Sequence, residues 1–560
     1  MSSLPSGNCC GIAARRGLPA GPSRPLPIFK RGCSNYSRNG ISPRAPGLQA
    51  QRDELQLSGP REDPWVASVA PRCISSGRPP VTDRRYNSER GSGGTSNLAI
   101  SNPSSKTAEL LALEREYCSF GDTVHYLEPP KVFVNCEGSF LYDETGTPYL
   151  DLQMWYSAAS FGYKNPRLNA ALKRQLDRLP QLACQYLHAE KVEVAARIAQ
   201  YCARRFGVKG RVHFNVGGSQ AIEDSLKLVR NYTGKNLMFA FMGGYHGRTL
   251  GASAITSSYR YRRRYGHFGD RAHFVFYPYC FRCMYGLKRD SCELYCEKQF
   301  EKLFDSEYHS VWDPKAQSSE FAAFYFEALQ GTGGYIIPPR EYFVRLREFC
   351  NQHNILLVDD EIQMGFYRTG KFWAVENLGI TPDIIVFGKA LTNGLNPLSG
   401  IWAREELITP ELFPPGSTHS TFSSNTLGTA VALETLKMLE EEDYEKLVNE
   451  KGAYLLAGLR ELQRRHPGII GQVDGLGMAL RIEVSKGDSV TPDRELTDRI
   501  FAGGLKGDLE AGGRKYGLVL DVGGYYKNVF TLSPSFTITR EEMDLGIELL
   551  DQLFRRCRAV

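Results

Sequence analysis

Six short apolar runs recur through the middle of this chain: Arg211–Val216, Leu237–Phe241, His273–Phe276, Ala322–Glu327, Ile355–Asp359 and Ile384–Gly388. Segments with helical patterning, such as Ser219–Tyr232 and Arg340–His353, lie between them. Strands that are apolar on both faces and alternate with helices predict a parallel or mostly parallel sheet covered by helices, an α/β class. Further helices are predicted over Thr107–Phe120, Leu187–Phe206, Thr429–Leu439 and Tyr444–His466, with Val192, Ala195, Ile198, Ala199 and Cys202 at helical spacing in the second. Val132–Asp151 alternates apolar residues around Glu-Gly and Thr-Gly, which predicts two or three short strands. An α+β section from about Gly471 is expected to pack with those strands as a small domain. The expected organisation is a tail over 1–105, the N-terminal part of the small domain over 106–165, a large domain over 166–440, and the C-terminal part of the small domain over 441–560.

A chain of 560 residues has room for two or three domains and a large core. The net charge of +6 is unevenly placed. Residues 1–105 hold fourteen basic and six acidic side chains, so the remainder is close to neutral and gives no reason to expect a nucleic-acid partner. Residues 1–52 hold eight basic residues and no acidic one, as a mitochondrial or plastid transit segment does, although Pro and Gly interrupt any amphipathic helix there. A disordered tail and a start assigned too far upstream are the other readings. No apolar run is long enough to span a membrane. Fourteen cysteines in this length do not make a secreted disulfide scaffold. Reduced thiols and a cytoplasmic location are expected, or a mitochondrial one if residues 1–52 are cleaved.

Two of the strands end in reactive groups. Ile384–Phe387 runs into Gly388 and Lys389, and Ile355–Val358 runs into Asp359, Asp360 and Glu361. A lysine buried behind an apolar strand shifts toward its neutral, nucleophilic form. An amine and a carboxylate at the ends of two core strands are what a pyridoxal phosphate enzyme needs. The amine makes a Schiff base with the cofactor, and the carboxylate keeps the pyridinium nitrogen protonated. Val216-Gly-Gly-Ser-Gln-Ala-Ile-Glu follows a strand and opens a helix, so Gly218 and Ser219 can offer amides to a phosphate. Thr421, in His419-Ser-Thr-Phe, is a second phosphate candidate, and Tyr245, after Met242-Gly-Gly, can stack on a planar ring. Each has a plain structural alternative: an ordinary turn, a packing aromatic, a salt-bridge carboxylate, an exposed lysine. Their occurrence together and in this order favours the site.

Two longer segments, Val358-Asp-Asp-Glu-Ile-Gln-Met-Gly-Phe-Tyr-Arg-Thr-Gly-Lys-Phe-Trp-Ala and Phe387-Gly-Lys-Ala-Leu, carry a resemblance. Over about Val124 to Phe554 the chain resembles the class III pyridoxal phosphate aminotransferases, the group of ornithine and 4-aminobutyrate aminotransferases. The resemblance implies a fold type I homodimer with active sites at its interface, acting on an amino donor and a keto acid. It implies that Lys389 carries the cofactor and shuttles the proton, and that Asp360 pairs with the pyridinium nitrogen. Gln363 would hydrogen-bond the ring oxygen, Glu327 would support that side, and Tyr245 would stack on the ring. Gly218 and Ser219 would bind the phosphate from one subunit and Thr421 from the other.

The chain also departs from that pattern. Thr332, in Gln330-Gly331-Thr332, stands where many relatives carry a glutamate. Thr531, in Phe530-Thr-Leu-Ser-Pro, stands where ornithine-type members carry an arginine. Losing both charges together avoids leaving one of them unpaired, and 2-oxoglutarate is not carried over as the acceptor. Trp155 and Tyr156 lie where such enzymes build the substrate pocket, with core packing an equal reading. An insertion over 279–296 holds Cys280, Cys283, Cys292 and Cys296, an array open to structural zinc, disulfides or free thiols. Similar Cys-rich segments occur in some class III relatives. The expected reaction is transfer of an amino group from an ω-amine or amino acid donor to a keto acid. An amino acid racemase or epimerase of the same fold and an inactive regulatory homologue are the alternatives.

Overall fold

A computed structural model describes residues 105–119, 121, 130–262, 265 and 272–558. The expected tail and its targeting reading lie outside the described residues, apart from Ser105, which opens a helix ending at Tyr117. The segment predicted as two or three strands forms β1 (Phe133–Glu137), β2 (Phe140–Asp143) and β3 (Pro148–Asp151), an antiparallel meander.

All six central strands form within a residue of their expected ends. They are β4 (Gly210–Asn215), β5 (Leu237–Phe241), β6 (His273–Val275), β7 (Phe321–Phe326), β8 (Leu356–Asp360) and β9 (Ile384–Phe387). A seventh, β10 (Ser399–Arg404), inserts between β4 and β9 and runs antiparallel to both. The sequence reading did not contain it, because its pairing with β4 joins segments far apart in the chain. The sheet order is β4-β10-β9-β8-β7-β5-β6, with the remaining pairs parallel.

Both faces of this sheet are buried, which is why its strands are apolar without alternation. One face meets the Gly218–Thr233 helix through Ala221, Ile222, Met238, Ala240, Val358 and Val386. On the other, Phe239, Phe241 and Phe324 pack with Phe300 and Phe343 in stacked and edge-to-face contacts. Burying each such side chain stabilises the fold by roughly 1.5–3 kcal/mol.

The C-terminal section adds β11 (Ile470–Leu476), β12 (Ala479–Val484), β13 (Leu509–Ala511), β14 (Arg514–Val519), β15 (Asp521–Gly523) and β16 (Val529–Leu532). β14 pairs in parallel with β3, so the N-terminal meander and the C-terminal segment share the sheet β1-β2-β3-β14-β13. β11, β12, β16 and β15 form a separate four-stranded sheet. The predicted helices are found at Ala189–Phe206, Arg340–Gln352, Thr426–Glu441 and Tyr444–Arg465. A further helix, Pro166–Arg178, begins with Pro after Asn165, whose side chain accepts from the Arg167 and Leu168 amides. No helix among the described residues is long and apolar enough to cross a membrane.

Candidate active site

The large sheet delivers its polar residues from the C-terminal ends of its parallel strands, the edge where open α/β sheets bind ligands. Ser219 follows β4, Tyr245 follows β5, Glu327 follows β7, Asp360 ends β8 and Lys389 follows β9. The pairing of Asp360 with Val386 puts Lys389 just past the carboxylate on the adjoining strand. Together with Gly218 and Gln363 these residues line one cavity of about 340 Å³.

Lys389 sits at φ +41°, in the left-handed region that a non-glycine residue rarely adopts. Burial lowers the pKa of its amine, against the opposing charges of Asp360, Glu327 and Asp521. Asp360 is oriented from behind: its Oδ2 is 2.9 Å from His246 Nδ1, and its Oδ1 accepts from the Ile362 amide at 3.2 Å. Burial pulls the pKa of His246 down, but the Asp360 carboxylate outweighs it and the net shift is upward. His246 Nε2 is buried with no partner. Glu327 accepts from the Tyr245 amide at 3.1 Å and the Gly331 amide at 2.9 Å. Burial raises its pKa to about 7, with His246 opposing. Gln363 Nε2 donates to the Tyr335 hydroxyl at 3.0 Å.

At the far end of the cavity the Gly218–Thr233 helix starts with no side-chain cap, so its first amides have no partner within the helix. The local chain is too close for side chains. A Cβ on Gly218 would lie 2.8 Å from Ile362 Cδ1, and one on Gly247, itself at φ +124°, would lie 2.3 Å from Ser219 Oγ. At the mouth, Met154, Trp155, Tyr156 and Ser157 form a left-handed turn with φ between 45° and 68°. Such a conformation costs about 1–2 kcal/mol per residue. Asp151 Oδ1 helps to hold it by accepting from the Gln153 and Met154 amides. The turn leaves Trp155 and Tyr156 exposed at the cavity wall rather than packed in the core.

Thr421 is not brought to this cavity within the chain; it is exposed in the loop before the Thr426–Glu441 helix. Thr332 and Thr531 do come together, flanking Gly523, where a Cβ would lie 3.4 Å from Thr332 O and 3.2 Å from Thr531 Cγ2. The structure brings the four cysteines of the insertion together. Cys280, Cys283, Cys292 and Cys296 border one small cavity, yet no three His, Cys, Asp or Glu side chains among the described residues are grouped to hold a metal ion. Burial raises the thiols of Cys280 and Cys296, the latter to about 11, and none of the four is in a disulfide. Ion pairs of Arg282 with Glu483 and of Arg289 with Glu341 fasten the segment to the rest of the fold. Sequence reasoning missed His246 and Asp521. The first stood beside Tyr245 in a segment already singled out; no local signal marked the second.

The donor set fits pyridoxal phosphate. A neutral-leaning amine can take its carbonyl carbon, a carboxylate backed by a histidine can take its ring nitrogen, and uncapped helix amides can take its phosphate. The comparisons agree. The aminotransferase class-III family matches residues 124–554. The chain is 32% identical over 453 residues to a 5-aminovalerate aminotransferase of Pseudomonas aeruginosa, spanning 80% of this chain and 99% of that one. It is 30% identical over 464 residues to an alanine/serine racemase of Pyrococcus horikoshii, spanning 82% and 92%. Among solved structures, a PLP-bound amine transaminase from an uncultivated Pseudomonas species aligns at TM-score 0.69 and 26% identity, over 79% of this chain and 99% of that one. The chain therefore belongs to the class-III aminotransferases, pyridoxal phosphate-dependent transaminases of fold type I.

Proposed function

We propose that the Lys389 cavity is where an amino group passes from an ω-amine or amino acid donor to a keto acid. The observation that carries this reading is the convergence of Lys389, Asp360 and Glu327 on one cavity, with the amine's pKa lowered. Lys389 is the residue that holds the cofactor's carbonyl carbon, Asp360 its ring nitrogen, Glu327 and Gln363 its ring-oxygen side, and Tyr245 its ring face. Gly218 and Ser219 hold the phosphate, with the Thr421 of a second copy completing it in a homodimer. Bound there, the cofactor supplies a carbonyl that accepts amines and a ring that draws electron density from the neighbouring carbon.

The rest of the chemistry belongs to the chain. With pyridoxal phosphate bound, the Lys389 Nζ, as a free base, would take a proton from the donor carbon and deliver it again as an acid. Its lowered pKa keeps a fraction of the amine neutral for that step. Asp360, which would pair with the ring nitrogen, is oriented by His246 on its other side. Trp155 and Tyr156 line the cavity, where their rings can border a bound substrate. We also place the enzyme in the cytoplasm, with a mitochondrial location as the alternative; all ten described cysteines are free.

The test is spectroscopic. Cofactor addition gives the purified wild-type protein a visible absorption band, and Lys389→Ala loses both the band and at least ~10³-fold in kcat. A colourless wild type would sink this reading. The 30% and 29% identities to amino acid racemases keep a second reading in view, in which the proton returns to the carbon it left. Incubation with a single amino acid and no keto acid separates the two, since inversion without keto-acid formation supports racemisation.

A further inference from the structure

Asp521 opens β15, the strand beside the one that carries Thr531. Its carboxylate accepts from Thr531 Oγ1 at 2.6 Å and from Gln153 Nε2 at 3.4 Å, both neutral donors. Among the described residues no cationic side chain is ion-paired with it. Lys527 favours its charge only through space, and burial still lifts its pKa. The residue as a whole is half-buried, and with Gln153 it lines a cavity of about 830 Å³. Tyr156 borders both that cavity and the Lys389 cavity. Asp521 is also one of the three carboxylates whose charge acts on Lys389. Around it the larger cavity is mostly apolar, with Leu520, Val522, Phe501 and Leu505 on its walls; its other charged residues are Glu114 and Lys131, the latter ion-paired with Asp143.

We infer that Asp521 is a charge filter in the substrate pocket: it seats a second ammonium group of the amino donor and disfavours a second carboxylate on the acceptor. This deepens the reading of the Lys389 cavity and rests on it. A carboxylate held by neutral donors has capacity left for a cation, and a cation there offsets the penalty of burying it. The apolar walls suit the methylene chain between two amines. Thr531 is the reason the filter is acidic: its hydroxyl supports Asp521, whereas an arginine at the same position would neutralise it. Discrimination comes from attraction of one charge and repulsion of the other at a single site.

The test uses the cofactor-loaded protein and matched substrates that differ only in the distal charge. With pyruvate as acceptor, kcat/KM is compared for 1,4-diaminobutane against 1-aminobutane and for L-ornithine against L-norvaline. Wild type favours the dication of at least one pair by about tenfold or more. Asp521→Asn lowers that ratio at least ~3-fold and raises the ratio of 2-oxoglutarate to 2-oxopentanoate as acceptors, while Asp521→Glu keeps the wild-type order and so excludes a folding defect. Calorimetry of 1,4-diaminobutane binding to Lys389→Ala protein reads the same contact without turnover, and adding Asp521→Asn weakens it. Donor ratios unchanged by Asp521→Asn, or equal diamine affinities in the two calorimetric variants, overturn the inference. A wild type that turns over monoamines with no preference for diamines overturns it while leaving the Lys389 reading intact; no turnover with any donor overturns both.

Discussion

Glu483 on β12 and Glu327 beyond β7 are both buried carboxylates, yet the protein treats them in opposite ways. Glu483 has each oxygen taken by polar side chains: Arg282 and Asn528 on Oε1, Arg481 and Tyr279 on Oε2. Tyr279 and Arg282 come from the Cys-rich insertion, so this cluster is what ties that segment to the four-stranded sheet. Glu327 has only two backbone amides, and the neighbouring groups Asp360 and Lys389 share no ion pair with each other. A buried charge that the chain neutralises by itself builds structure. One left with unused capacity, beside an orphaned His246 Nε2, is ready for a ligand.

The sharpest way to break this contrast is to remove each carboxylate in turn. Glu483→Ala leaves two buried guanidinium groups without their partner, and chemical denaturation is expected to show a loss of about 3–5 kcal/mol. Asp360→Asn is expected to lower kcat by about 10²–10³-fold, measured with any accepted donor, without a comparable loss of stability. Equal destabilisation by the two variants would erase the distinction between them.

The third prediction concerns pH. Glu327 has a folded pKa of about 7 against an ordinary 4.5, so the folded state holds a proton that the unfolded state has already released. Its contribution is fully present below pH 4.5 and is lost as pH rises toward 7, an effect of at most roughly 3 kcal/mol. Cofactor-free wild type should therefore lose stability relative to Glu327→Gln across that window, as read by denaturation midpoints at a series of pH values. Parallel pH profiles for the two proteins would show that the site carboxylate is not held protonated.

Most of the large sheet was legible because burial on both faces leaves a direct mark: a short apolar run bounded by helix signals. β10 left a weaker one, since Ser399-Gly-Ile-Trp-Ala-Arg becomes a strand only by fitting between β4 and β9. Lys389, Asp360, Gly218 and Ser219 could be singled out because each sits at a strand or helix end that the pattern already marked. His246 was one residue from a named aromatic, but its partner Asp360 is 114 positions away. The left-handed turn at Trp155 and Tyr156 has no signature in residue type, since nothing about Met-Trp-Tyr-Ser demands positive φ. The cysteine array was open in the sequence to zinc, disulfides or free thiols; in the structure the four are free thiols around one small cavity, and ion pairs anchor the segment.

The sequence by itself determined the α/β class, the order of the strands along the chain and the amine and carboxylate at their ends, because these follow from local hydrophobic pattern and short-range turn chemistry. Only the tertiary structure decided which buried charges are satisfied and which are left open, and that the cavity lined by Asp521 shares Tyr156 with the Lys389 cavity. Partners of that kind are set by packing between segments hundreds of residues apart, and no local pattern encodes them.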